Sequence, residues 1–281
     1  MKYAITGASG QLGRLAADEL LERVPAGDVV LITRRPDSLA DYAARGVEVR
    51  AGDFTDAASL PAAFAGVDRL LLVSTDAVGT RLPGQVAAVK AAATAGVRRI
   101  AYTSITRPEE GNPAAVVPDH AGTEQALRES GTHWTMLRNA IYADMQVPVV
   151  QQAAATGQLV TNVGAGRYAY VTRADCAAAA AAALVSDDAD DTIFDITGPE
   201  SVSSNDLAAL AGKVGGTDVA VVDVDDAAYI AGLVEHAGLP EPVAQLLASF
   251  HQAARLGFFE GVSGDFTKLT GRPAAPLGSL L

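Results

Sequence analysis

The chain has 281 residues, of which 33 are acidic and 21 basic, so its formal net charge at neutral pH is −12. This charge argues against general nucleic-acid binding, which needs a basic surface, and against adhesion to anionic membranes. The single cysteine, Cys176, excludes an intrachain disulfide, and the four histidines show no metal-ligand spacing. We therefore expect one large α/β domain, or a core with a smaller second lobe, and no metal site.

The first predicted element is a strand over residues 2–6, which runs into a glycine-rich turn and then a helix over 12–22. Gly7 allows a sharp turn, Gly10 lets a pyrophosphate approach the backbone, and Gly13 lets the helix pack closely against the sheet. The helix N-terminus would present free N–H groups to phosphates. The spacing is Gly-x-x-Gly-x-x-Gly rather than Gly-x-Gly-x-x-Gly, and an ordinary strand-to-helix turn is the alternative. The strand–turn–helix context favours a dinucleotide site.

Strands and helices alternate through the first half of the chain. The run Leu70-Leu71-Leu72-Val73 is apolar throughout, as expected for a strand of a parallel sheet covered by helices on both faces. This alternation predicts an α/β fold with a Rossmann-type, doubly wound parallel sheet. The predicted strands cover 2–6, 29–33, 47–50, 69–74, 98–103 and 134–138, and the predicted helices cover 12–22, 38–44, 59–64, 85–95 and 120–130.

After residue 139 the pattern changes to that of a smaller C-terminal α/β lobe. A strand over 193–196 is expected to return to the main sheet, and Ser203 with Asp206 resembles a capping box. We expect an NAD(P)-binding core over 1–140 with a returning segment around 171–198, and a substrate-binding lobe over 141–281. The chain opens directly on a strand pattern rather than a basic and apolar leader, which predicts a cytoplasmic protein. Helices are predicted over 147–156, 175–185, 207–214, 227–237 and 243–254, and further strands within 157–170 and over 219–224.

The residues after the second strand bear on which nicotinamide dinucleotide would bind. An acidic residue there hydrogen-bonds the ribose hydroxyls of the unphosphorylated form, whereas an arginine pairs with the 2′-phosphate. This chain has Arg34 and Arg35, and a guanidinium offers phosphate a bidentate, permanently charged donor fork. Arg34 therefore favours NADPH over NADH, and a solvated basic pair is the alternative. Asp53 is a candidate for contact with the adenine amine, and Ser74 and Thr75 follow the fourth strand at the ligand-binding edge.

Five sequence segments, taken together, match one known group of proteins. They are Ala4-Ile5-Thr6-Gly7-Ala8-Ser9-Gly10-Gln11-Leu12-Gly13, Gly52-Asp53, Ala101-Tyr102-Thr103-Ser104, Leu137-Arg138-Asn139-Ala140-Ile141-Tyr142 and Val171-Thr172-Arg173-Ala174-Asp175. This combination resembles the NmrA-like, atypical short-chain dehydrogenases. Within them it is most similar to the branch of NAD(P)H:quinone oxidoreductase type 2 and triphenylmethane reductase. The similarity covers essentially the whole chain, and the Leu-Arg-Asn-x-x-Tyr segment is its most discriminating part.

The resemblance implies a Rossmann domain that binds NADPH and a smaller lobe that forms a cleft for a flat, quinone-like or dye-like acceptor. It places Asn139 and Tyr142 near the nicotinamide, and it allows a homodimer. Arg173 precedes a predicted helix, and a solvated charge is its alternative role. The predicted cofactor-binding residues are Gly7, Ala8, Ser9, Gly10, Gln11, Leu12, Gly13, Arg34, Asp53, Ser74, Thr75, Asp76, Arg138, Asn139, Tyr142 and Arg173.

The chain departs from the wider short-chain dehydrogenase superfamily at the usual catalytic pair. Those enzymes use Tyr-x-x-x-Lys, in which the tyrosine handles a proton at the substrate oxygen and the lysine lowers the tyrosine pKa. Here the equivalent place holds His120 and Glu124, and no Tyr-x-x-x-Lys occurs in the sequence. A quinone needs less proton chemistry than a ketone, because hydride addition gives a stabilised hydroquinone anion. The substitution favours direct hydride transfer to a quinone or conjugated dye without flavin. The alternative is a non-enzymatic, NmrA-like redox sensor.

Three residues are candidates for the chemistry, namely Asn139, Tyr142 and His120. His120 could donate a proton to the acceptor because both of its charge states are accessible near neutral pH. Its alternative is a helix-start histidine paired with Glu124. Tyr142 could stack on or hydrogen-bond the acceptor, or be an interior aromatic residue. Asn139 ends a predicted strand at the ligand-binding edge, which favours a polar contact with the cofactor.

Overall fold

The computed structural model describes residues 1–188 and 190–281. The strands are β1 (Tyr3–Ile5), β2 (Val29–Thr33), β3 (Glu48–Ala51), β4 (Arg69–Leu72), β5 (Arg99–Ile105), β6 (His133–Asn139), β7 (Gln158–Thr161), β8 (Arg167–Tyr168), β9 (Thr192–Ile196), β10 (Val202–Ser203) and β11 (Ala220–Asp223). The helices are α1 (Gln11–Leu21), α2 (Ala40–Ala43), α3 (Leu60–Phe64), α4 (Leu82–Thr94), α5 (Val117–Arg128), α6 (Val147–Thr156), α7 (Arg173–Val185), α8 (Ser204–Gly215), α9 (Asp226–Glu235), α10 (Glu241–Arg255) and α11 (Asp265–Thr270). Short 3-10 turns lie at Ala26–Asp28, Pro36–Leu39, Ala57–Ser59, Ala143–Gln146 and Leu277–Leu280.

In the described part of the chain, seven strands form one parallel sheet in the order β3-β2-β1-β4-β5-β6-β9. β1 pairs with both β2 and β4, so the chain crosses from β3 at one edge to β4 on the other side of β1. This reversal is the switch point of a doubly wound fold, where ligands bind beyond the carboxyl ends of the strands. The predicted Rossmann-type sheet is confirmed, and the strand predicted over 193–196 is present as β9, paired with β6.

Successive residues of a strand point to opposite faces of the sheet, and helices cover both faces. Leu71 of β4 belongs to a core shared with α1, α7 and α11, whereas Leu70 and Leu72 belong to a core shared with α3, α4 and α5. The apolar run of β4 is therefore buried on both sides. Residues 177–183 of α7 are all alanine and all buried, and these small side chains let α7 lie closely against α1.

The smaller lobe is built on short strand pairs and an aromatic core. β7 pairs in parallel with β11, and β8 pairs antiparallel with β10. The Tyr168 ring is stacked with Tyr170 at a centroid distance of 4.8 Å and with Phe259 at 5.8 Å. The predicted capping box of Ser203 and Asp206 is confirmed at the start of α8.

Three helices begin three residues earlier than predicted, namely α4, α5 and α8, the last of which begins at Ser204. α4 begins at Leu82 and α5 at Val117, three residues before the predicted starts, and each has a proline in its first turn. Proline is tolerated there because the N–H groups of a first turn need no intrahelical partner. Helix α11 has no counterpart among the predicted elements. Among the described residues, no helix combines the length and apolar character that a membrane crossing would require.

Candidate active site

The glycine-rich turn joins β1 to α1 at the carboxyl edge of the sheet. Gly7 has a φ of +60°, a left-handed conformation that favours glycine. A Cβ on Gly13 would lie 2.3 Å from the Gly7 carbonyl oxygen and 2.8 Å from the Cα of Ala8. The close approach that requires Gly13 is therefore between α1 and the turn itself, and the prediction of close packing against the sheet is corrected.

The first turn of α1 fits an anionic group. Gly10 is the N-cap residue, and within the described chain no side chain caps this end of α1 and its first turn carries no acidic residue. The backbone N–H groups of Gln11, Leu12 and Gly13 are thus available to a ligand, with the positive end of the helix dipole behind them, whereas the Arg14 N–H donates to the Gly10 carbonyl. The Ser9 hydroxyl oxygen lies 2.9 Å from the Thr33 hydroxyl oxygen, which ties the turn to the end of β2. These features suit the pyrophosphate of a dinucleotide.

The residues that follow β2 present positive charge to solvent. Arg34 and Arg35 are exposed, and among the described residues neither guanidinium is paired with a carboxylate. Asp53 follows β3, and its carboxylate accepts hydrogen bonds from the Thr55 N–H at 2.9 Å and the Thr55 hydroxyl at 2.8 Å. These bonds lower the pKa of Asp53, and the nearby charge of Arg34 lowers it further. Because the Asp53 carboxylate is bonded to Thr55 and not to Arg34, the Arg34 guanidinium remains available for a phosphate.

The loop after β4 is held by a buried ion pair that the sequence pattern did not indicate. The Arg81 guanidinium donates to Asp119 of α5 at 3.1 Å and also to the Thr75 carbonyl, and both charged side chains are buried. The Ser74 N–H donates to the Thr103 hydroxyl at 2.8 Å. Asp76 lies exposed in this loop. Ser74 and Thr75 are thus fixed at the carboxyl edge, as a ligand-binding loop requires.

His120 lies in α5 within a buried hydrogen-bond network. Its Nδ1 is 2.9 Å from the hydroxyl oxygen of Tyr102. Burial lowers the pKa of His120 to about 3, with the charge of Arg81 as the second cause. The premise that both charge states of His120 are accessible near neutral pH is therefore wrong. The alternative pairing of His120 with Glu124 is also wrong, because Glu124 has other partners.

Glu124 pairs instead with an arginine of the neighbouring strand. The Arg138 guanidinium donates from Nε to Oε1 at 2.9 Å and from Nη2 to Oε2 at 2.7 Å. The Ser104 hydroxyl also donates to Glu124, at 2.8 Å. The bond to Glu124 raises the pKa of Arg138 above its usual value. Because this guanidinium is already paired with the Glu124 carboxylate, the assignment of Arg138 to the cofactor stays a prediction.

Asn139, Tyr142 and Arg173 come together at the end of β6. Asn139 is buried, and its Oδ1 has no hydrogen-bond partner within the described residues. The Tyr142 ring is half-buried, and the Arg173 guanidinium carbon lies 4.9 Å from its centroid. Burial raises the pKa of Tyr142, whereas the Asn139 amide acts to lower it. Arg173 also lies 3.6 Å from Asp144, so it is not simply a solvated charge.

The predicted site residues therefore fall into two groups. The glycine turn, Arg34, the loop after β4 and Asn139 with Tyr142 all follow carboxyl ends of neighbouring parallel strands, so they meet at one edge of the sheet. His120 of α5 contacts Tyr102 of β5, and Arg138 of β6 contacts Glu124 of α5, in a polar cluster on one face of the sheet. The uncapped turn, the unpaired Arg34 and the unpartnered Asn139 oxygen are the features of this edge that a nicotinamide dinucleotide phosphate would fit.

Known proteins share the sequence pattern and the fold of this chain. The NAD(P)H-binding family model matches residues 7–187. Quinone oxidoreductase 2 of Escherichia coli K12 is 35% identical over 274 residues, which cover 98% of this chain and 95% of that protein. The crystal structure of the Escherichia coli NADPH-dependent quinone oxidoreductase with NADPH superposes with a TM-score of 0.94 at 35% identity, covering 99% of this chain and 98% of that one. Citrobacter triphenylmethane reductase with NADP(H) superposes with a TM-score of 0.92 at 34% identity, covering 99% and 98%.

Proposed function

The chain belongs to the NAD(P)H-binding, NmrA-like family of atypical short-chain dehydrogenases, and from that premise we propose a specific activity for this oxidoreductase. It is an NADPH-dependent reductase that passes a hydride directly to a quinone or a similarly conjugated acceptor, without flavin. The relatives named as a quinone oxidoreductase and a triphenylmethane reductase support this acceptor class. The dinucleotide binds on the core of residues 1–140, and the lobe of residues 141–281 supplies the acceptor cleft.

One observation carries the proposal. His120 and Glu124 stand where short-chain dehydrogenases usually have their proton-handling pair, and both are bonded to other residues of the protein. His120 is hydrogen-bonded to Tyr102, and Glu124 is bonded to Arg138 and Ser104. Neither side chain is free to deliver a proton to an alkoxide, which ketone reduction would need. A quinone or a cationic dye accepts a hydride to give a stabilised product, so positioning over the donor supplies most of the acceleration.

The chain's own residues divide the remaining work. The N–H groups at the start of α1 bind the pyrophosphate, and Arg34 pairs with the 2′-phosphate. Asn139 and Tyr142 orient the nicotinamide ring at the end of β6. The bound dinucleotide supplies the hydride when it is reduced. The buried surroundings of Asn139 exclude water from that end of the site.

The test is a spectrophotometric screen of the full chain with NADPH and with NADH against p-benzoquinone, menadione and a triphenylmethane dye. We expect oxidation of NADPH with at least one acceptor, no requirement for added flavin, and at least about tenfold higher kcat/KM with NADPH than with NADH. Absence of turnover with every acceptor and either dinucleotide would contradict the proposal. Tight NADP⁺ binding without turnover would instead support the NmrA-like redox sensor. Turnover that appears only after flavin is added would refute direct hydride transfer.

A further inference from the structure

A buried hydroxyl without a partner lies at the carboxyl end of β5. Thr106 directly follows β5 and is only 7% exposed, and within the described residues its Oγ1 has no hydrogen-bond partner. Its backbone N–H donates to the Asn139 carbonyl at 3.1 Å. Thr106 therefore lies beside the residue that we place at the nicotinamide. A buried polar group without a partner costs free energy, so it calls for an explanation.

The other hydroxyls near the end of β5 all have protein partners. Tyr102 is bonded to His120 at 2.9 Å, Thr103 accepts the Ser74 N–H at 2.8 Å, and Ser104 donates to Glu124 at 2.8 Å. Thr106 is the exception in this series. The exception occurs at the edge where ligands bind in a doubly wound fold.

The residue after Thr106 ties this point to the smaller lobe. Arg107 has a φ of +49°, a left-handed conformation that is unfavourable for a side chain of this size. Its guanidinium donates to the Gly257 carbonyl at 3.1 Å and lies 4.5 Å from the Phe258 ring centroid. The Asn112 amide donates to the Arg107 carbonyl at 2.9 Å. These contacts hold Thr106 at the junction of the two lobes, where an acceptor cleft between them would open.

We propose that the Thr106 hydroxyl donates a hydrogen bond to the carbonyl oxygen of the acceptor, an inference that rests on the proposed quinone reduction. A C–H bond of the reduced nicotinamide breaks, and its hydrogen and electron pair pass to the quinone, where a new O–H bond forms at one oxygen while the dinucleotide is oxidised. The opposite quinone oxygen, which Thr106 contacts, becomes the hydroquinone oxyanion, and water supplies the proton that neutralises it. Thr106 keeps its own proton throughout and stabilises the negative charge as it develops. It thereby supplies part of what the missing tyrosine supplies in ketone-reducing relatives.

The nicotinamide carboxamide has a carbonyl oxygen that is a second acceptor for the Thr106 hydrogen bond. The two acceptors predict different effects on NADPH affinity. A hydroxyl bound to the carboxamide contributes to NADPH affinity in the absence of acceptor. A hydroxyl bound to the acceptor leaves NADPH affinity unchanged and acts on the rate of reduction.

The experiment compares Thr106→Val, which removes the hydroxyl at nearly constant volume, with Thr106→Ser, which keeps it. We expect kcat/KM for p-benzoquinone to fall about 10- to 100-fold in T106V and to stay within about threefold in T106S. The Kd for NADPH, measured by fluorescence titration without acceptor, stays within about twofold in both variants. Addition of benzene-1,4-diol under nitrogen to the NADP⁺-loaded protein raises Tm in the wild type and in T106S, and not in T106V.

Stability separates this role from a structural one. T106V is expected to keep or raise the Tm of the unliganded protein, because it removes an unpartnered buried hydroxyl. The matched variant Thr103→Val removes a partnered hydroxyl and should lower Tm. Unchanged quinone kinetics in T106V, a weakened NADPH Kd, or a lowered Tm would each overturn the proposal. A wild type that fails to reduce quinones defeats the proposed function, and the benzene-1,4-diol shift then still decides whether Thr106 contacts such an oxygen.

Discussion

The two halves of the ligand-binding edge are built in opposite ways. Around β1 and β2 the groups offered to a ligand are backbone N–H groups and the exposed Arg34. Around β5 and β6 they are the buried oxygens of Thr106 and Asn139, which have no hydrogen-bond partner among the described residues. An exposed charge attracts phosphate over a distance and is screened by salt, whereas a buried neutral group acts only at contact. We infer that the first half sets dinucleotide affinity and choice, and the second sets the acceptor and the rate.

We expect the largest effect at Gly13, in the first half of the edge, where the backbone of the glycine-rich turn leaves no space for a side chain. In Gly13→Ala the new Cβ would overlap the Gly7 carbonyl oxygen, which is backbone and cannot rotate away. We expect a loss of about 3 kcal/mol in the free energy of unfolding and loss of measurable NADPH binding. Denaturant unfolding and fluorescence titration would measure both. The matched control is Gly27→Ala, whose Cβ would meet no atom within 4 Å, and equal behaviour of the two variants would refute the steric argument.

Charge reversal at Arg34 tests whether the first half selects the phosphorylated dinucleotide. Because a hydrogen bond to a charged group contributes about 1.5–3 kcal/mol, Arg34→Glu should raise the KM for NADPH about tenfold or more. The KM for NADH should change by no more than about twofold. Steady-state kinetics with both dinucleotides measures the ratio, and added salt should weaken the wild-type preference.

Arg98→Glu is the control for the change in net charge. Arg98 is exposed at the amino end of β5, where it pairs with Asp68 at 3.2 Å. If Arg98→Glu raises the KM for NADPH as much as Arg34→Glu does, the long-range charge of the protein is responsible. If Arg34→Glu raises the KM for both dinucleotides equally, Arg34 does not contact the 2′-phosphate.

The two halves also differ in how far the sequence could reveal them. The glycine spacing and Arg34 are local signals, because a turn and the residue after a strand lie next to each other in the chain. The Arg81–Asp119 pair joins residues that are 38 positions apart, and no local pattern brings them together. The same holds for Glu124 and Arg138, whose opposite charges carry no signal of mutual contact at their spacing.

Thr106 illustrates the limit most clearly. The strand pattern placed the end of the fifth strand near this residue, yet a threonine after a strand is ordinary in sequence. Its interest arises because the hydroxyls of Tyr102, Thr103 and Ser104 have partners and that of Thr106 has none in the part of the chain that the structure describes, which only the folded structure reveals. The starts of α4 at Leu82 and α5 at Val117, in contrast, carry a local signal that the predicted starts did not use, because each helix has a proline in its first turn, where proline is favoured.

The pH dependence of stability in acid tests whether water is excluded from the second half of the edge, around β5 and β6. Burial lowers the pKa of His120 from 6.5 to about 3, so the unfolded chain binds a proton more readily than the folded one between those values. The contribution of the buried, neutral His120 to the free energy of unfolding is complete above about pH 6.5 and is lost as the pH falls towards 3. In His120→Gln, the fall of unfolding free energy with decreasing pH should be shallower by up to about 1.4 kcal/mol per pH unit.

Urea unfolding at several pH values between 6.5 and 4 would measure this slope. His251 in α10 has a pKa lowered to about 4, chiefly by burial, so a part of the slope remains in the variant. His236 is exposed, and His236→Gln is the control for the histidine-to-glutamine substitution outside the buried network. An unchanged slope in His120→Gln would mean that water reaches His120 and that this half is more open than its contacts indicate.

The smallest expected effect is that of Tyr142→Phe. The variant keeps the aromatic ring beneath the Arg173 guanidinium at 4.9 Å and removes only the hydroxyl. Burial raises the pKa of that hydroxyl, so it stays protonated at physiological pH and gives no pH dependence of its own. If Tyr142 works through its ring, kcat/KM should stay within about threefold, whereas Tyr142→Ala should lose about tenfold, because an aromatic contact contributes about 0.5–1.5 kcal/mol beyond the buried area. A loss in Tyr142→Phe as large as that in Thr106→Val would make the Tyr142 hydroxyl a second donor to the acceptor, and the second half would then act through two hydroxyls rather than one.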